Sequence, residues 1–468
     1  MNSFCKMLSL QNQFCVIHLT HNSTMRIVIV GAGAVGTYLA KYLSGEQMDI
    51  FIIDKDADKL TMLDSEYNLM TVEGDGLEFS TLRRAEVQRC DLVVAVTDAT
   101  ESNIVICGIA KSMGAKLTVA RVDRQDYIEP ENLKVLRAMG VDNAIFPEYL
   151  LGKGIIEALK HPWTRNWYEF NGGKMILAGL RIAENAPIAG KYLRDLSVGE
   201  RFFHVVAIRR HFRTLIPDGN SRLLPNDILY VTTTASNQEK LAQIAGKHLF
   251  NIKNVLIAGS GRTVEMTLNM ASKMFKFTVI DENVERVQKL ANLYPDCDAI
   301  IGDVSEPTAL EEAGVESADA FVSLSKISES NILSCLVAKD MGIRKTVARI
   351  EHPYFLNMGE SFHIGTIINK QMLMANTICQ LLIDSGSVSS KCLILPDADM
   401  LRLEIKAGTK ITSVPVKDLK IPKTITFAGV LRDGQSELVT GNTVLREGDN
   451  VLVVCLSGGI HEARQLFE

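Results

Sequence analysis

Two glycine-rich segments of the sequence have the residue types and spacing that bind the phosphates of a nucleotide. The first follows a strand-like apolar run and consists of Gly31, Ala32, Gly33, Ala34, Val35 and Gly36. In this G-x-G-x-x-G pattern the first glycine permits a tight turn, the second lets the backbone approach a pyrophosphate, and the third lets helix and strand lie close together. The amides and partial positive charge of a helix N-terminus then hold the phosphates. The pattern predicts dinucleotide binding, and the alternative is a turn that serves packing only.

Asp54 supports the first of these interpretations, because it closes the next predicted strand 21 residues after Gly33. A carboxylate at this place accepts hydrogen bonds from both hydroxyls of a ribose and repels a 2′-phosphate. NAD(H) is therefore the predicted cofactor, in preference to NADP(H). We expect Asp54 to have little structural role beyond the ribose.

Polar residues also follow the next three predicted strands. Asp75 comes after the third strand, Thr97 and Asp98 come after the fourth, and Arg121 ends the fifth. Open parallel sheets bind ligands at these carboxyl ends, so we predict that all four residues line the nucleotide site. An ion pair at the surface or between subunits is the alternative for Arg121. Asn103 is predicted to cap the helix that begins there.

The pattern recurs 228 residues downstream. The second motif consists of Gly259, Ser260, Gly261 and Arg262. Asp281 again ends the second strand, whereas Val264 replaces the third glycine and Arg262 replaces Ala34. A cation inside the turn suits a nucleotide with more terminal charge, such as ATP or ADP. The alternative is a decayed site that now only packs against its partner.

Each repeat has two parts with different hydrophobic periods. The first part alternates apolar runs with amphipathic segments, which predicts a parallel sheet covered by helices on both faces. The second part has short strands separated by turn signals. The predicted fold class is α/β, with two Rossmann-like parallel-sheet domains, each followed by a small β-rich α+β module. The predicted ranges are 25–147 and 251–375 for the Rossmann-like domains, 165–250 and 385–468 for the modules, and 1–24 for a poorly ordered extension.

Composition narrows the function classes. A net charge of −5 and only 6% aromatic residues argue against a nucleic-acid partner, which needs basic surface or stacking platforms. Nine cysteines without a C-x-x-C pair fit neither a disulfide framework nor a zinc ribbon, so we predict a cytoplasmic chain and no metal site. No window of about 20 residues is uniformly apolar, so no transmembrane helix is predicted. The histidines are scattered without a repeated carboxylate partner, which favours binding without catalysis.

The most specific segments together resemble the TrkA family, whose members carry tandem RCK (KTN) domains. They are Gly31–Gly36, Asp54, Ala95–Asn103, Ala120-Arg121 and Leu445–Val453. The resemblance covers the chain from Met25 to its end. In that family the glycine loop, the strand-end acid, the threonine after the fourth strand and the arginine ending the fifth contact NAD(H). The resemblance implies these roles for Gly31–Val35, Asp54, Thr97, Asp98 and Arg121.

The resemblance also implies a function and a set of partners. It suggests a nucleotide-sensing regulatory subunit of a Trk-type potassium-uptake system, assembled as a homo-oligomer (a dimer or a ring of dimers). Such a subunit docks on a membrane-embedded potassium-translocating subunit at the inner face of the cell membrane. We therefore expect a chain that is not an enzyme. Two alternatives stay open: a soluble NAD-dependent oxidoreductase and an RCK-type regulator of potassium efflux.

Overall fold

The computed structural model describes residues 25–44, 48–197, 202–384, 390–395, 398–456 and 459–467. The predicted extension, residues 1–24, lies outside the described residues. Packing divides the chain into two compact units. The first unit holds residues up to Pro147 together with Lys370–Cys392, and the second holds Glu148–Asn369 with Leu393–Glu468.

A six-stranded parallel sheet forms the centre of the first unit. Its strands are β1 Met25–Val30, β2 Met48–Asp54, β3 Met70–Glu73, β4 Leu92–Ala95, β5 Leu117–Arg121 and β6 Asn143–Ile145, in the order β3-β2-β1-β4-β5-β6. The helices between them are α1 Ala34–Ser44, α2 Ala57–Glu66, α3 Phe79–Arg84, α4 Thr100–Met113 and α5 Pro130–Ala138. The strand order reverses between β1 and β4, which creates the crevice where doubly wound sheets bind ligands.

Local sequence explains how these elements begin and end. β1 is a nearly continuous buried apolar run, as expected of a central strand covered on both faces. The side chain of Asp56 accepts hydrogen bonds from the amides of Asp58 and Lys59 and thereby caps α2. α4 ends at Met113 and is capped by Gly114, whose φ of +117° is a conformation that glycine adopts without strain.

The second unit begins with a linker helix and an antiparallel sheet. The helix is α6 Pro147–Lys160. The strands are β7 Asn166–Phe170, β8 Met175–Arg181, β9 Phe203–Arg210, β10 Arg213–Leu215 and β11 Ile228–Thr233, in the order β10-β9-β11-β8-β7, and α7 Gln238–Ile244 follows. This sheet with α7 is called module 1 below.

A second parallel sheet repeats the first. Its strands are β12 Asn254–Ala258, β13 Lys276–Asp281, β14 Asp298–Ile301, β15 Ala320–Ser323, β16 Lys345–Arg349 and β17 Thr366–Ile368, in the order β14-β13-β12-β15-β16-β17. Its helices are α8 Arg262–Ala271, α9 Val284–Leu293, α10 Pro307–Glu312, α11 Ser328–Asp340 and α12 Pro353–Ser361. Phe277 and Phe321 are among its largest fully buried side chains. Burial of each such side chain stabilises the fold by about 1.5–3 kcal/mol.

The last sheet, module 2, resembles module 1 in its strand order. Its elements are β18 Ser390–Leu395, β19 Ala398–Glu404, β20 Ile425–Arg432, β21 Gln435–Glu437, β22 Asn450–Leu456 and α14 Gly459–Phe467, and the strands have the order β18-β19-β22-β20-β21. Leu177 and Tyr230 of module 1 share a buried cluster with Met400 and Leu452 of module 2. The two modules therefore pack together within the second unit.

A repeated ion pair confirms that the two modules are copies. Arg210 donates two hydrogen bonds to the buried carboxylate of Asp227, at 2.7 and 2.6 Å. Arg432 and Asp449 form the same pair at 2.8 and 2.7 Å. Both pairs tie a strand to the turn that precedes the next long strand.

Two helices cross between the units. α6 directly follows the first parallel sheet but lies in the second unit, where a Cβ built on Gly152 would be 3.3 Å from Met266 Cγ in α8. α13, Lys370–Asp384, directly follows the second parallel sheet but lies in the first unit and packs against α1. The helix that follows each Rossmann-like sheet therefore belongs to the other unit.

The predicted fold class is confirmed: both parallel sheets and both small antiparallel modules are present. Because the second unit joins several predicted ranges, the bounds 25–147, 165–250, 251–375 and 385–468 stay a prediction. Within the described part of the chain, none of the helices is both long and apolar enough to cross a lipid bilayer.

Candidate nucleotide-binding site

The first glycine motif forms the turn between β1 and α1. Gly31 has a φ of +110°, and its amide donates a 2.8 Å hydrogen bond to the carbonyl of Ile53. A Cβ at this position would lie 3.1 Å from the Thr97 nitrogen, so the turn runs directly against the end of β4. Gly31 therefore has the predicted role, because both its φ and its close backbone approach favour glycine.

The other two glycines of the motif differ in the space around them. A Cβ on Gly36 would lie 1.8 Å from the Gly31 carbonyl oxygen, which no side chain can tolerate. A Cβ on Gly33 would meet no heavy atom of the described chain within 4 Å. Gly36 thus permits helix packing, and the open space at Gly33 fits the close approach of a pyrophosphate. The first-turn amides of α1, which a helix leaves without internal acceptors, face the same turn.

Asp54 contacts the glycine turn directly. One oxygen of its carboxylate accepts a 2.6 Å hydrogen bond from the amide of Ala32, and the other accepts a 2.9 Å bond from the amide of Asp56. The expectation of little structural role for Asp54 is therefore wrong. Strand pairing sets β2 beside β1, and this brings the carboxylate within reach of the turn.

Asn103 holds two strand ends together. Its Oδ1 accepts hydrogen bonds from the amide and the hydroxyl of Thr97, at 3.0 and 2.6 Å. Its Nδ2 donates to the carbonyls of Thr97 and Arg121, at 3.1 and 2.9 Å. The prediction that Asn103 caps its helix is wrong, because α4 begins three residues earlier at Thr100 and the amide side chain points back to the sheet.

Arg121 lies at the same edge of the sheet. Its Nη1 donates to Asp98 at 3.0 Å and approaches the carbonyl of Thr97 at 3.4 Å. The carboxylate of Asp98 is fully exposed to solvent, whereas the arginine side chain is mostly buried. The structure therefore brings Thr97, Asp98 and Arg121 together beside the glycine turn.

Asp75 follows β3, the strand next to β2, and is paired with Lys55. The Lys55 ammonium is 2.9 Å from the Asp75 carboxylate. A backbone hydrogen bond from Leu77, followed by the bond from Lys55, lowers the pKa of Asp75, and the same pair raises the pKa of Lys55. We name this edge, from Gly31–Gly36 through Asp54, Asp75 and Thr97 to Arg121, the first crevice.

The second parallel sheet has an equivalent second crevice, formed by the turn Gly259–Arg262 with Asp281, Ser325, Lys326 and Arg349. Gly259 has a φ of +114°, and its amide donates to the carbonyl of Ile280 at 2.9 Å. A Cβ on Gly261 would again meet no heavy atom within 4 Å among the described residues. Asn331 repeats the clamp by donating to the carbonyls of Ser325 and Arg349, at 2.9 and 2.7 Å.

The two crevices differ in charge. Arg262 is the first residue of α8 and is exposed, at the place where the first crevice has Ala34. Lys326, also exposed, stands where the first crevice has Asp98. Arg349 donates instead to Glu351, at 2.7 Å. Two of the positions around the ligand space have therefore changed toward positive charge.

The remaining substitutions concern packing and the turn itself. Val264 is buried in the second repeat, which therefore accommodates a side chain where the first repeat has room for none. The hydroxyl of Ser260 is buried without a hydrogen-bond partner among the described residues. Asp281 accepts a 2.8 Å bond from the amide of Asn283.

Comparison with known families agrees with this architecture. The model of the TrkA-N domain matches residues 27–147 and 255–370, and that of the TrkA-C domain matches residues 177–246 and 400–468. The chain belongs to the TrkA family. The matched TrkA-N segments contain the two parallel sheets, and the matched TrkA-C segments contain most of modules 1 and 2.

Individual relatives match over nearly the full length. The "Trk system potassium uptake protein TrkA" of Azorhizobium caulinodans is 26% identical over 452 residues, which is 95% of this chain and 98% of that protein. The "Trk system potassium uptake protein TrkA homolog 1" of Methanosarcina mazei is 27% identical over 453 residues, which is 95% of this chain and 100% of that protein. The solved structure "GsuK channel bound to NAD" has a TM-score of 0.56 and 17% identity, and it covers 99% of this chain and 82% of that one. It is similar in fold.

Three residues of this TrkA-family chain were missed or misassigned by reasoning from sequence. Lys55 pairs with Asp75, Asn103 clamps two strand ends, and Lys326 reverses the charge at the position of Asp98. A signal for the last two existed, because both stand in the 228-residue register of the repeat. No such signal marks Lys55, whose partner Asp75 follows the neighbouring strand β3.

Proposed function

We propose that this chain is a nucleotide-sensing regulatory subunit of a Trk-type potassium-uptake system, and that its first crevice binds NAD(H). The observation that carries the proposal is the open space at Gly33 beside the strand-end carboxylate of Asp54. An open turn admits a pyrophosphate, and an acid at the end of β2 suits the ribose of a dinucleotide.

In this proposal each part of the first crevice has a distinct role. The first-turn amides of α1 hold the pyrophosphate, Asp54 binds the adenine ribose, and Asp75 lies toward the adenine. Thr97, Asp98 and Arg121 face the rest of the cofactor. The negative charge of Asp54 repels a 2′-phosphate, which selects NAD(H) over NADP(H). NAD(H) supplies a redox state to be sensed, and the chain's own residues supply binding only.

The second crevice is proposed to bind ATP or ADP. Support comes from Arg262 at the start of α8 and Lys326 after β15, because each adds positive charge relative to the first crevice. The terminal phosphates of these nucleotides carry more charge than a dinucleotide pyrophosphate, so cations at the turn strengthen their binding. The alternative, a packing relic, predicts no nucleotide binding at this crevice.

Potassium as the regulated ion rests on family membership and on the names of the relatives. In this proposal the chain works at the inner face of the cell membrane, as a homo-oligomer docked on a membrane-embedded potassium-translocating subunit. A nucleotide regulates transport only if its affinity differs between two states of that assembly, and typical coupling is about 1–3 kcal/mol. The oxidoreductase and the efflux regulator remain the competing functions.

Isothermal titration calorimetry on the purified full chain tests the ligand assignment. We expect NADH to bind more tightly than NADPH, and ATP or ADP to bind at a separate site that NADH does not block. Equal affinity for NADH and NADPH would overturn the role of Asp54.

The Arg262→Ala variant is expected to lose the ATP or ADP response of potassium flux in reconstituted vesicles, while NADH affinity stays nearly unchanged. An unchanged response would leave the second crevice as a packing relic.

Two further measurements separate the function classes. A strain without this gene is expected to grow poorly at limiting potassium and to recover with the wild-type gene; normal growth favours a regulator of efflux. Incubation of the purified chain with NADH and cell extract is expected to give no sustained NADH oxidation. Robust turnover would overturn the regulatory function in favour of an oxidoreductase.

A further inference from the structure

Three potential metal ligands converge where the linker helix meets module 1. Glu157 lies in the last turn of α6, His161 directly follows the end of that helix, and Glu169 lies on β7. One donor atom from each residue lies within 4.8 Å of the others. All three belong to the second compact unit, and none of them lies in either crevice.

Neighbouring side chains hold two of these ligands in place. The ring of His161 stacks on Trp167, with ring centroids 3.8 Å apart and planes only 9° apart. The indole nitrogen of Trp167 donates a 3.0 Å hydrogen bond to Glu169. One tryptophan therefore orients both the imidazole and a carboxylate, as hydrogen-bonding and stacking neighbours do around metal ligands.

The charges suit a cation. Nε2 of His161 is 3.8 Å from one oxygen of Glu157, while the other oxygen of Glu157 binds Lys160 at 3.0 Å. The two carboxylates of Glu157 and Glu169 outnumber the single ammonium of Lys160, so the acidic groups of the cluster attract a cation.

We propose that Glu157, His161 and Glu169 form a binding site for a divalent transition-metal ion. Imidazole nitrogen suits Zn²⁺, Co²⁺ and similar ions, whereas Mg²⁺ and Ca²⁺ prefer oxygen ligands alone. Three protein ligands leave positions for water, and Glu169 is exposed enough for an ion to enter. The site goes beyond the proposed nucleotide sensing and does not depend on it.

Such an ion would join two elements that the chain otherwise connects by a short segment. α6 ends at Lys160 and β7 begins at Asn166, and the ion would link the last turn of the helix to the strand. The metal would therefore stiffen the start of module 1 relative to α6 within the second unit.

Metal titration of the full chain tests the proposal. Chelator-treated protein, free of nucleotide, is titrated with CoCl₂ by visible absorption and with ZnCl₂ by calorimetry. We expect saturable binding that includes one site lost in His161→Gln and in Glu169→Gln, with at least about a tenfold loss of affinity at that site. Glu148→Gln, at the other end of α6, is the matched control and should titrate as the wild type does.

Glu169→Gln protects the test against misfolding, since this side chain is exposed and the substitution keeps its shape. Hydrogen exchange of the segment 157–170 should slow when ZnCl₂ is added to the wild type and stay unchanged in Glu169→Gln. Wild-type protein that binds neither ion, or binding that is identical in wild type and both ligand variants, overturns the proposal.

Discussion

The carboxylate of Asp54 accepts a hydrogen bond from the amide of Ala32 across 2.6 Å. One residue therefore fixes the glycine turn and, in the proposed function, also binds the ribose. The two roles make different demands: the turn needs an acceptor atom, whereas selection against a 2′-phosphate needs negative charge. Substitutions at this position can separate them.

Asp54→Ala is expected to lower NADH affinity by about ten- to a hundredfold, because a charge-assisted hydrogen bond is worth about 1.5–3 kcal/mol. Asp54→Asn keeps an acceptor for the Ala32 amide but loses the charge and the acceptor for the Asp56 amide, so it should lose less stability than Asp54→Ala and should discriminate less against NADPH. Calorimetry with both nucleotides and thermal unfolding measure these effects.

Asp56→Ala, which removes the cap of α2, is the matched control. It should lower stability by about 1 kcal/mol and leave NADH affinity unchanged. Equal effects of Asp54→Ala and Asp56→Ala on affinity would contradict the assignment.

The second and third glycines of the motif should respond differently to the same methyl group. Gly36→Ala places a Cβ 1.8 Å from the Gly31 carbonyl, so the helix must move and both stability and NADH affinity should fall. Gly33→Ala meets only open space, so its unfolding temperature should match the wild type while NADH affinity falls at least about tenfold through loss of close pyrophosphate approach. Calorimetry and thermal unfolding of both variants check this. A Gly33→Ala variant with full NADH affinity would mean that the ligand does not use this turn.

The asparagine clamps provide a matched pair across the repeat. Asn103→Ala and Asn331→Ala each remove a buried side chain that bridges two strand ends, so each should lower the free energy of unfolding by about 1–3 kcal/mol. Only Asn103→Ala should also weaken NADH binding, because Thr97 and Arg121 lie in the first crevice. Denaturant unfolding and NADH calorimetry measure the two effects. Equal loss of NADH affinity in both variants would mean that the loss results from lower global stability and not from the first crevice.

Part of this site was predictable from sequence because it depends on local backbone. The roles of Gly31 and Gly36 follow from a turn and a helix that neighbouring residues determine. The bond from Asp54 to Ala32 depends on the register of β2 beside β1, and the clamp of Asn103 depends on how α4 packs over β4 and β5. The spacing of residues along the chain does not indicate which of them come into contact through strand pairing or helix packing. The exchange of α6 and α13 was also unpredictable, because a helical pattern does not say which sheet the helix covers.

Lys345 should give the chain a characteristic pH dependence. Its side chain is buried at the start of β16, where the Nζ donates to the carbonyl of Thr164 and the hydroxyl of Thr366, each at 2.8 Å. Burial, with a smaller contribution from the charge of Arg165, lowers its pKa from 10.5 to about 7. Between these values the unfolded chain binds more protons than the folded chain, so this lysine makes the free energy of unfolding rise with pH across that range. Its destabilising effect is fully present below pH 7.

The Lys345→Met variant should flatten this rise. Each unit of pKa depression corresponds to about 1.4 kcal/mol, so the difference between wild type and variant should change steadily from pH 7 to pH 10. Denaturant midpoints measured at each pH give this difference, and Lys253→Met, an exposed lysine before β12, is the control. Parallel pH profiles for wild type and Lys345→Met would show that the pKa of the Lys345 amine is not lowered in the folded chain.

The crossing of α13 also imposes an order in time. α13 packs against α1, yet it begins at Lys370, more than three hundred residues after α1 ends at Ser44. At ribosomal rates of about 5–20 residues per second, the surface of α1 that α13 covers waits roughly 15–65 seconds for its partner. Met374, Ala375 and Ile378 of α13 are fully buried once they arrive. The packing of the first unit can therefore be completed only after α13 has been synthesised, and the surface of α1 that α13 covers stays exposed until then.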